Sequence, residues 1–327
     1  MSLSAELARA VESGRFDGRA ARVLSGVWSR VSEPARRLRL PRGVRVVGVG
    51  GATLGGAGKT PVVLELARVF GATERVVVLA SAYSARVSQP LRVLPEHPAR
   101  EVGDEGAWLA RALAPHGVPV VVGRNRQQLV DWASRLGDVL LVDGLLQAAP
   151  EPLSASLLVL DAGAPFGAGH CPPAGDLRAS PGRCLALADR VLTLVGPAQT
   201  VPALGHPVDV VRHGWSGVRT HDGLRLPVKS LRGLALGLLL AIARPERVLR
   251  ALQQTGIEPR RVELHTDHGE FPAPRRGPPV DAWLTTQKCA TKLGRRYGGA
   301  PVWALDHAVE LPTPLVAWLG ERLGRTP

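Results

Sequence analysis

Lysine and cysteine are scarce in this 327-residue chain, and it has no long apolar run. The three cysteines, Cys171, Cys184 and Cys289, lie far apart, which excludes a CxxC metal motif and an evenly paired disulfide framework. A reducing, cytoplasmic setting is therefore expected. The longest apolar stretch, residues 233–243, reaches about half of the 20 residues that a membrane-spanning helix needs. The first residues lack the apolar core of a signal peptide, so neither secretion nor a transmembrane helix is predicted.

Positive charge is abundant and comes almost wholly from arginine. The formal charge is +13, and of the 41 basic residues only Lys59, Lys229, Lys288 and Lys292 are lysines. Such an excess favours anionic partners, which include phosphorylated substrates, anionic membranes and nucleic acid. Because no basic motif is interleaved with aromatic residues, no nucleic-acid partner is expected.

Short β-branched runs alternate with helical patterns along the first two thirds of the chain. The predicted strands cover residues 44–49, 76–79, 118–122, 139–142, 157–160 and 191–195. Helical spacing of apolar residues occurs between them, as at 60–70 and 106–113. Continuous apolar strands separated by helices predict a doubly wound, mostly parallel α/β sheet that is covered on both faces.

A glycine-rich turn follows the first predicted strand and precedes an amphipathic helix, in the order that a P-loop requires. The predicted nucleotide-binding residues are consecutive: Thr53, Leu54, Gly55, Gly56, Ala57, Gly58, Lys59, Thr60 and Pro61. Backbone N–H groups of the turn would surround phosphate oxygens, Lys59 would reach the β- and γ-phosphates, and Thr60 would offer its hydroxyl to Mg²⁺. Thr53 stands where the strict GxxxxGK[ST] pattern has its first glycine. The chain is thus predicted to be a P-loop phosphotransferase that uses ATP and Mg²⁺.

Three segments are predicted along the chain. Residues 1–42 form a basic, amphipathic N-terminal segment, residues 43–215 a P-loop kinase core, and residues 216–327 a smaller α/β lobe that ends in a helix. A proline-rich connector at 196–207 motivates the boundary. The second lobe should contain a strand at 234–242, a helix at 245–255 that stops at Gly256, and a last helix at 314–323 that packs back on the core.

Several blocks of the sequence resemble the tetraacyldisaccharide 4'-kinase family. VGGATLGGAGKTP at 49–61 is similar to the family's VGNxTVGGTGKTP, and VGDE at 102–105 to VGDEP. PPAGDLR, ending at Arg178, is similar to LPAGPLRE; IARPERVLRAL at 242–252 to GIGNPxRFFxxL; and WLTTQKCATKL at 283–293 to LVTEKDAVKL. The resemblance covers residues 45 to 305. It implies ATP-dependent phosphorylation of the 4'-hydroxyl of tetraacyldisaccharide 1-phosphate, a lipid A precursor, at the cytoplasmic face of the inner membrane. We expect a monomer.

The resemblance also implies roles for individual residues. Asp104 would accept the proton of the 4'-hydroxyl, with His268 beside it as a dyad, and Lys59 would complete the catalytic set. Arg126 and Arg178 are the candidates for contacts to anionic substrate groups. From the residues alone, Asp104 is equally explained as a helix N-cap, His268 as a solvated loop histidine and the arginines as surface residues.

The family's DDGFQH signature is altered here to Val142-Asp143-Gly144-Leu145-Leu146-Gln147. Asp143 and Thr60 are the predicted metal ligands, so Asp143 would do alone what two carboxylates share elsewhere. Asp176 also replaces a proline of the family pattern. Either the metal shell is rebuilt with Asp104 or Asp176, or the chain is a weakened or repurposed member. If the signature is weakened, substitution of Val142 by Asp and of Gln147 by His should lower the Mg²⁺ concentration that the enzyme requires.

One predicted helix, residues 20–31, carries an apolar stripe. Its members are Val23, Leu24, Val27, Trp28 and Val31, and four arginines follow at 36, 37, 39 and 42. This pattern is typical of an interfacial helix on an anionic leaflet, which predicts peripheral membrane binding. A helix packed on the protein core fits the same periodicity.

Two other classes of function fit the sequence, and the altered signature favours the first of them. One is a P-loop protein that binds nucleotide to regulate a partner without catalysis. The other is a kinase for a different small acceptor, or an ATPase associated with nucleic acid.

Overall fold

A single large sheet organises the chain. The structure is a computed structural model, and it describes residues 18–32, 35–82 and 85–324. The helices are α1 (Arg19–Val31), α2 (Lys59–Gly71), α3 (Ala99–Val102), α4 (Asp104–Leu113), α5 (Arg126–Ala133), α6 (Pro181–Ala186), α7 (Pro245–Gln254), α8 (Gln287–Ala290) and α9 (Thr313–Arg322). The strands are β1 (Ala35–Leu38), β2 (Arg45–Gly51), β3 (Val76–Leu79), β4 (Leu91–Val93), β5 (Val120–Val122), β6 (Val139–Asp143), β7 (Gln147–Pro150), β8 (Ala155–Asp161), β9 (Arg190–Val195), β10 (Asp209–Arg219), β11 (Arg225–Leu226), β12 (Leu236–Leu240), β13 (Arg261–Leu264), β14 (Ala282–Thr286), β15 (Arg296–Tyr297) and β16 (Ala300–Glu310).

The main sheet joins 14 strands within the described residues, in the order β13-β12-β14-β16-β10-β9-β8-β2-β6-β3-β5-β4, with β11 on β10 and β15 on β16. Pairing is parallel from β10 through β9, β8, β2, β6 and β3 to β5, and again from β13 to β16. The pairs β10–β16 and β4–β5 are antiparallel. Helices cover both faces of the parallel part, so the predicted doubly wound, mostly parallel α/β fold is confirmed.

Separate apolar cores form along this sheet. In the P-loop half, β2 to β9, one face packs against α2, α4 and α9, with Phe70, Leu109 and Leu319 fully buried. The other face of that half packs against α5 through Leu129 and Val130. The second half, β12 to β14, has its own cluster, which includes Leu238 from β12. The C-terminal helix therefore packs back on the first core, as the sequence predicted.

The two halves of the sheet meet at β10 and β16. These two 11-residue strands pair over most of their length, with a bulge between Trp215 and Gly217. The predicted boundary between residues 215 and 216 lies inside β10. The division of the chain into a P-loop core and a smaller lobe stays a prediction. Within the described ranges, no helix combines the length and the apolar character needed to cross a bilayer.

Candidate active site

The predicted phosphate-binding loop connects β2 to α2 at the carboxyl end of the sheet. Gly56 and Gly58 have φ of +71° and +80°, a left-handed conformation that glycine adopts without a steric penalty. A Cβ at Gly58 would lie 2.4 Å from Leu194 Cδ1, so the turn also needs the space that glycine leaves. Helix α2 begins at Lys59, directly after the second of these residues. The loop thus has the strand, turn and helix geometry of a P-loop.

Carbonyl groups of the loop are held from outside it. The Arg178 guanidinium donates to the carbonyls of Thr53 and Leu54, both at 3.0 Å, and Arg247 donates to the carbonyl of Gly56. In a planar trans peptide the next N–H points opposite to the carbonyl. The amides that follow Leu54 and Gly56 are therefore aimed away from these arginines. Arg178, predicted as a substrate contact, holds the loop.

Thr60 and Asp143 form a buried polar pair where α2 meets the end of β6. The Thr60 hydroxyl donates to Asp143 Oδ2 at 2.7 Å, and Asp143 is 1% exposed. Burial, and next the charge of Glu105, raise the pKa of Asp143. Burial lowers the pKa of Lys59, against the opposing effect of Asp143. An oxygen pair of this kind, in a site that disfavours an unneutralised carboxylate, fits a hard divalent cation.

Of the two alternatives for the altered signature, a metal shell rebuilt with Asp104 or Asp176 finds no support in the structure. No group of three or more His, Cys, Asp or Glu side chains that could hold a metal occurs in the part of the chain that the structure describes. Asp176 is instead paired with Arg244, at 3.0 Å, and Asp104 with His268, at 2.8 Å. Among the described residues, Thr60 and Asp143 thus keep the oxygens that fit Mg²⁺.

Val142 lies on the face of β6 opposite to Asp143. Successive side chains of a strand alternate between its two faces. Val142 is fully buried in the cluster of α5, together with Leu129 and Leu140, whereas Leu141 belongs to the cluster of α2. A carboxylate at 142 would therefore enter an apolar cluster away from Thr60. The expectation that Asp at 142, together with His at 147, lowers the Mg²⁺ requirement therefore finds no support at position 142.

Asp104 and His268 come together as the family resemblance implied. His268 Nδ1 lies 2.8 Å from Asp104 Oδ1, which also accepts the N–H of Glu105 at 2.9 Å. Asp104 is the first residue of α4, and Gly103 occupies the N-cap position, so the N-cap explanation is wrong. His268 has φ of +59°, unusual for a residue with a side chain, and such backbones cluster at functional sites. Its side chain is 17% exposed, which excludes a fully solvated histidine.

Two lysines surround this dyad. Lys292 Nζ lies 3.2 Å from Asp104 Oδ2, and Lys288 Nζ lies 3.3 Å from Glu105 and 3.5 Å from His268 Nε2. Burial opposes ionisation of Asp104, but the hydrogen bond with His268 and the two ammonium charges hold its pKa well below the usual range. Asp104 is thus a carboxylate at every physiological pH.

Sequence reasoning did not select Lys288 and Lys292. A clue was present, because three of the four lysines of this arginine-rich chain, these two and Lys59, belong to the site. An ammonium is a compact point charge, unlike the planar guanidinium, which explains why lysine is retained at these positions.

Arg126, the other predicted substrate contact, is largely buried at the start of α5. One of its nitrogens, Nη2, donates to the Asp143 carbonyl at 3.2 Å. Its Nη1 is buried and has no hydrogen-bond partner among the described residues. Burial lowers the pKa of Arg126, while Asp143 opposes the shift. An unpaired guanidinium nitrogen is costly, which favours a ligand group at this position.

A cavity of about 270 Å³ lies beside the loop. Its lining combines apolar side chains with basic ones: Trp28, Leu54, Leu146, Arg36 and Arg178. Trp28 and Leu54 are about half exposed, so the cavity opens towards α1 and the solvent.

Helix α1 docks through a polar residue and exposes its apolar ones. Ser25 is 2% exposed, and its hydroxyl donates to the Cys171 carbonyl at 2.6 Å and accepts the Ala174 N–H at 3.1 Å. The α1 stripe, defined as Val23, Leu24, Val27 and Trp28, is exposed by 67%, 59%, 52% and 50%. The alternative of a stripe packed on the core is wrong for these four residues. The Val31 side chain and residues 1–17 lie outside the described part of the chain.

The model of the family described as tetraacyldisaccharide-1-P 4'-kinase matches residues 27–324. The chain belongs to this family. A family relative in Nitrobacter winogradskyi, named tetraacyldisaccharide 4'-kinase, is 36% identical over 250 residues, which are 72% of this chain and 70% of the relative. One of the same name in a Methylobacterium strain is 36% identical over 299 residues, 85% and 86% of the two chains. These relatives confirm the predicted family and kinase class and support lipid A 4'-kinase function.

A solved structure has the same fold as this chain. It is LpxK from Aquifex aeolicus in complex with ATP, with a TM-score of 0.70 and 22% identity over 93% of this chain and 97% of that one. Because the two sequences are 22% identical, the structural similarity supports the fold alone.

Proposed function

We propose that the chain transfers the γ-phosphate of ATP to the 4'-hydroxyl of tetraacyldisaccharide 1-phosphate, with Mg²⁺. The observation that carries the proposal is the position of the Asp104–His268 dyad next to the P-loop pair of Thr60 and Asp143. The charge of Glu105, the neighbour of Asp104, reaches Asp143 strongly enough to raise its pKa. A carboxylate for the acceptor therefore lies within electrostatic reach of the site for the phosphates.

The nucleotide side of the reaction uses the loop, Lys59 and the polar pair. Loop amides and the N-terminus of α2 would bind the β- and γ-phosphates, and Lys59 would neutralise charge that spreads over the transferred group. When bound, Mg²⁺ would neutralise the charge that develops on the transferred phosphoryl group. Thr60 Oγ1 and Asp143 Oδ2 are the oxygens of this chain that would hold it.

The acceptor side uses Asp104 and His268. Oδ2 of Asp104 accepts no hydrogen bond within the described residues, although Lys292 lies 3.2 Å away. This oxygen is our choice for the acceptor of the 4'-hydroxyl proton, and His268 would fix the carboxylate through Oδ1. A low pKa makes Asp104 a weak base, but the loose transition state of phosphoryl transfer needs orientation of the hydroxyl more than base strength.

Anionic and acyl groups of the substrate would bind beside the loop. Arg126 Nη1 has no hydrogen-bond partner within the described ranges, and the cavity next to the loop combines Arg36 and Arg178 with apolar side chains. An acylated, phosphorylated disaccharide offers both kinds of group. We assign Arg126 to a substrate oxygen, and we extend the role of Arg178 from the loop to the substrate in the cavity.

The α1 stripe would hold the protein at the inner membrane. Four apolar side chains that are at least half exposed lie on one helix, and the stripe ends at Trp28, which lines the cavity. Exposed arginines of the same region, among them Arg30 and Arg36, would contact anionic headgroups. The lipid acceptor could then reach the loop from the membrane surface.

Separate measurements of binding and chemistry test the assignment of the dyad. Asp104→Asn and His268→Ala should leave ATP affinity within about threefold of wild type, because neither residue belongs to the phosphate loop. Transfer to the lipid should fall by about 100-fold or more, the usual range for a positioned general base. Lys229→Ala, an exposed lysine elsewhere, is the matched control. Full transfer by both dyad variants would contradict the assignment.

A further inference from the structure

Two arginines at the start of α7 reach from the second half of the sheet to the P-loop half. Arg244 Nη2 lies 3.0 Å from Asp176 Oδ2, and Arg247 Nε lies 3.2 Å from Asp161 Oδ2. Arg244 also approaches Asp161, at 3.6 Å. The carboxylates are 1% and 5% exposed and the arginine side chains 14% and 22%, so this arginine clasp is a largely buried group of two cations and two anions.

The clasp touches the phosphate-binding loop at two points. Arg247 donates to the carbonyl of Gly56, and a Cβ built on Gly56 would lie 2.8 Å from Cγ of Arg244. The main-chain carbonyl of Asp176 accepts the N–H of Leu54 at 2.8 Å. Members of the clasp therefore hold the loop on both sides of Gly55.

The position of these charges is unfavourable for the helix itself. The N-terminus of a helix carries partial positive charge, which disfavours two arginines in or before its first turn. Asp161 and Asp176, from the other half of the sheet, compensate for this. Glu246 is the acidic residue that favours this helix N-terminus, whereas the two arginines are explained by the carboxylates that they reach.

One departure from the family pattern lies in the clasp. Asp176 stands where LPAGPLRE has proline, and in this chain it pairs with Arg244. The exchange of one partner alone would leave a buried charge without compensation.

We propose that Arg244 and Asp176 are positioning residues for the nucleotide: they hold α7 against the loop, so that Arg247 fixes the Gly56 carbonyl and aims the next amide at a phosphate. Because the peptide is planar, rotation of the Gly56 carbonyl away from Arg247 would turn the Ala57 N–H away from its ligand. The inference rests on the proposed use of ATP, and it extends to how tightly the nucleotide binds.

The test compares Arg244→Asn, Asp176→Asn and the double variant in the full chain. The readouts are the Kd of a fluorescent ATP analogue, KM for ATP, KM for the lipid acceptor and Tm. Arg244→Asn should raise Kd and KM for ATP by about tenfold, because α7 would no longer hold Arg247 on the Gly56 carbonyl and one charged hydrogen bond to the loop would weaken. KM for the lipid should be unchanged. Arg244→Lys should recover part of the affinity, and the double variant should bind better than Asp176→Asn or Arg244→Asn alone.

Arg250→Asn is the matched control, because Arg250 is an exposed arginine of the same helix. Wild-type Kd for the nucleotide analogue in Arg244→Asn would overturn the proposal. A lower Tm with unchanged Kd would also overturn it, because the pair would then serve the fold alone. The binding measurement needs no lipid. Wild-type protein that binds ATP without phosphorylating the lipid would count against the proposed function, and the Kd values of the variants would still decide the role of the clasp.

Discussion

Serine substitutions in the α1 stripe should release the protein from membranes without unfolding it. We choose Leu24→Ser with Val27→Ser and leave Trp28 intact, because Trp28 also lines the cavity. The two side chains are 59% and 52% exposed, so their removal deletes little packing. Full burial of such a side chain is worth about 1.5–3 kcal/mol, and the exposed half therefore contributes about 1 kcal/mol to membrane binding. The pair should contribute about 2 kcal/mol, roughly 30-fold in partitioning.

Vesicle sedimentation measures this effect directly. Wild type, the double variant and Leu224→Ser would be compared on vesicles that contain anionic lipid, at low and high salt. Leu224 is 57% exposed in the turn between β10 and β11, so it is a control of equal exposure at another place. Binding should weaken in the double variant alone, and high salt should weaken the wild type because arginines contribute. Equal sedimentation of all three proteins would refute the role of the stripe.

Three further predictions follow from buried groups. Val142→Asp should lower the free energy of unfolding by about 3–5 kcal/mol, because it places a carboxylate in an apolar cluster, and it should not lower the Mg²⁺ requirement. Val142→Ala should lower the free energy of unfolding by less. An Asp variant with wild-type Tm and a lower Mg²⁺ requirement would contradict this. Burial and nearby positive charge, including that of Arg247, lower the pKa of His213 to about 4 and of His307 to about 3. The unfolded chain then binds more protons, so Tm should fall as pH decreases from about 6.5 towards 4, and His307→Gln should reduce this fall while exposed His116→Gln should not. The pKa of Asp104 is lowered, so its contribution to stability is present above about pH 4 and is lost below it. In a profile of Tm against pH, Asp104→Asn should remove this part of the acid destabilisation.

Sequence reasoning found the parallel part of the sheet because its strands are buried on both faces. Strand β3 has the predicted bounds, 76–79, and β6 extends the predicted run by Asp143 alone. The pairing of β10 with β16 was not predicted. Its partners are about 90 residues apart, and polar residues such as Arg212 and His213 interrupt the apolar pattern of β10. Long-range antiparallel pairing of mixed strands leaves little periodicity to detect.

The residues alone indicated the parts of the candidate site that are local in sequence, whereas the contact of Asp104 with His268 was expected only from the family resemblance. The loop, Thr60 and Asp143 follow from a strand, a turn and a strand end. Periodicity revealed the stripe of α1 but not its direction, which depends on Ser25 reaching the Cys171 carbonyl from far along the chain. The contact of Arg244 with Asp176 likewise joins residues that only the folded sheet brings together.

Transfer of label from γ-labelled ATP to tetraacyldisaccharide 1-phosphate, with Mg²⁺, is the most direct test of the account. Wild type and Lys229→Ala should give the labelled 4'-phosphorylated lipid, and Lys59→Ala should give almost none at an unchanged Tm, because Lys59 neutralises charge in the transition state without supporting the fold. Wild-type protein that binds ATP and yields no labelled lipid at any Mg²⁺ concentration would contradict the account and favour a nucleotide-binding regulator.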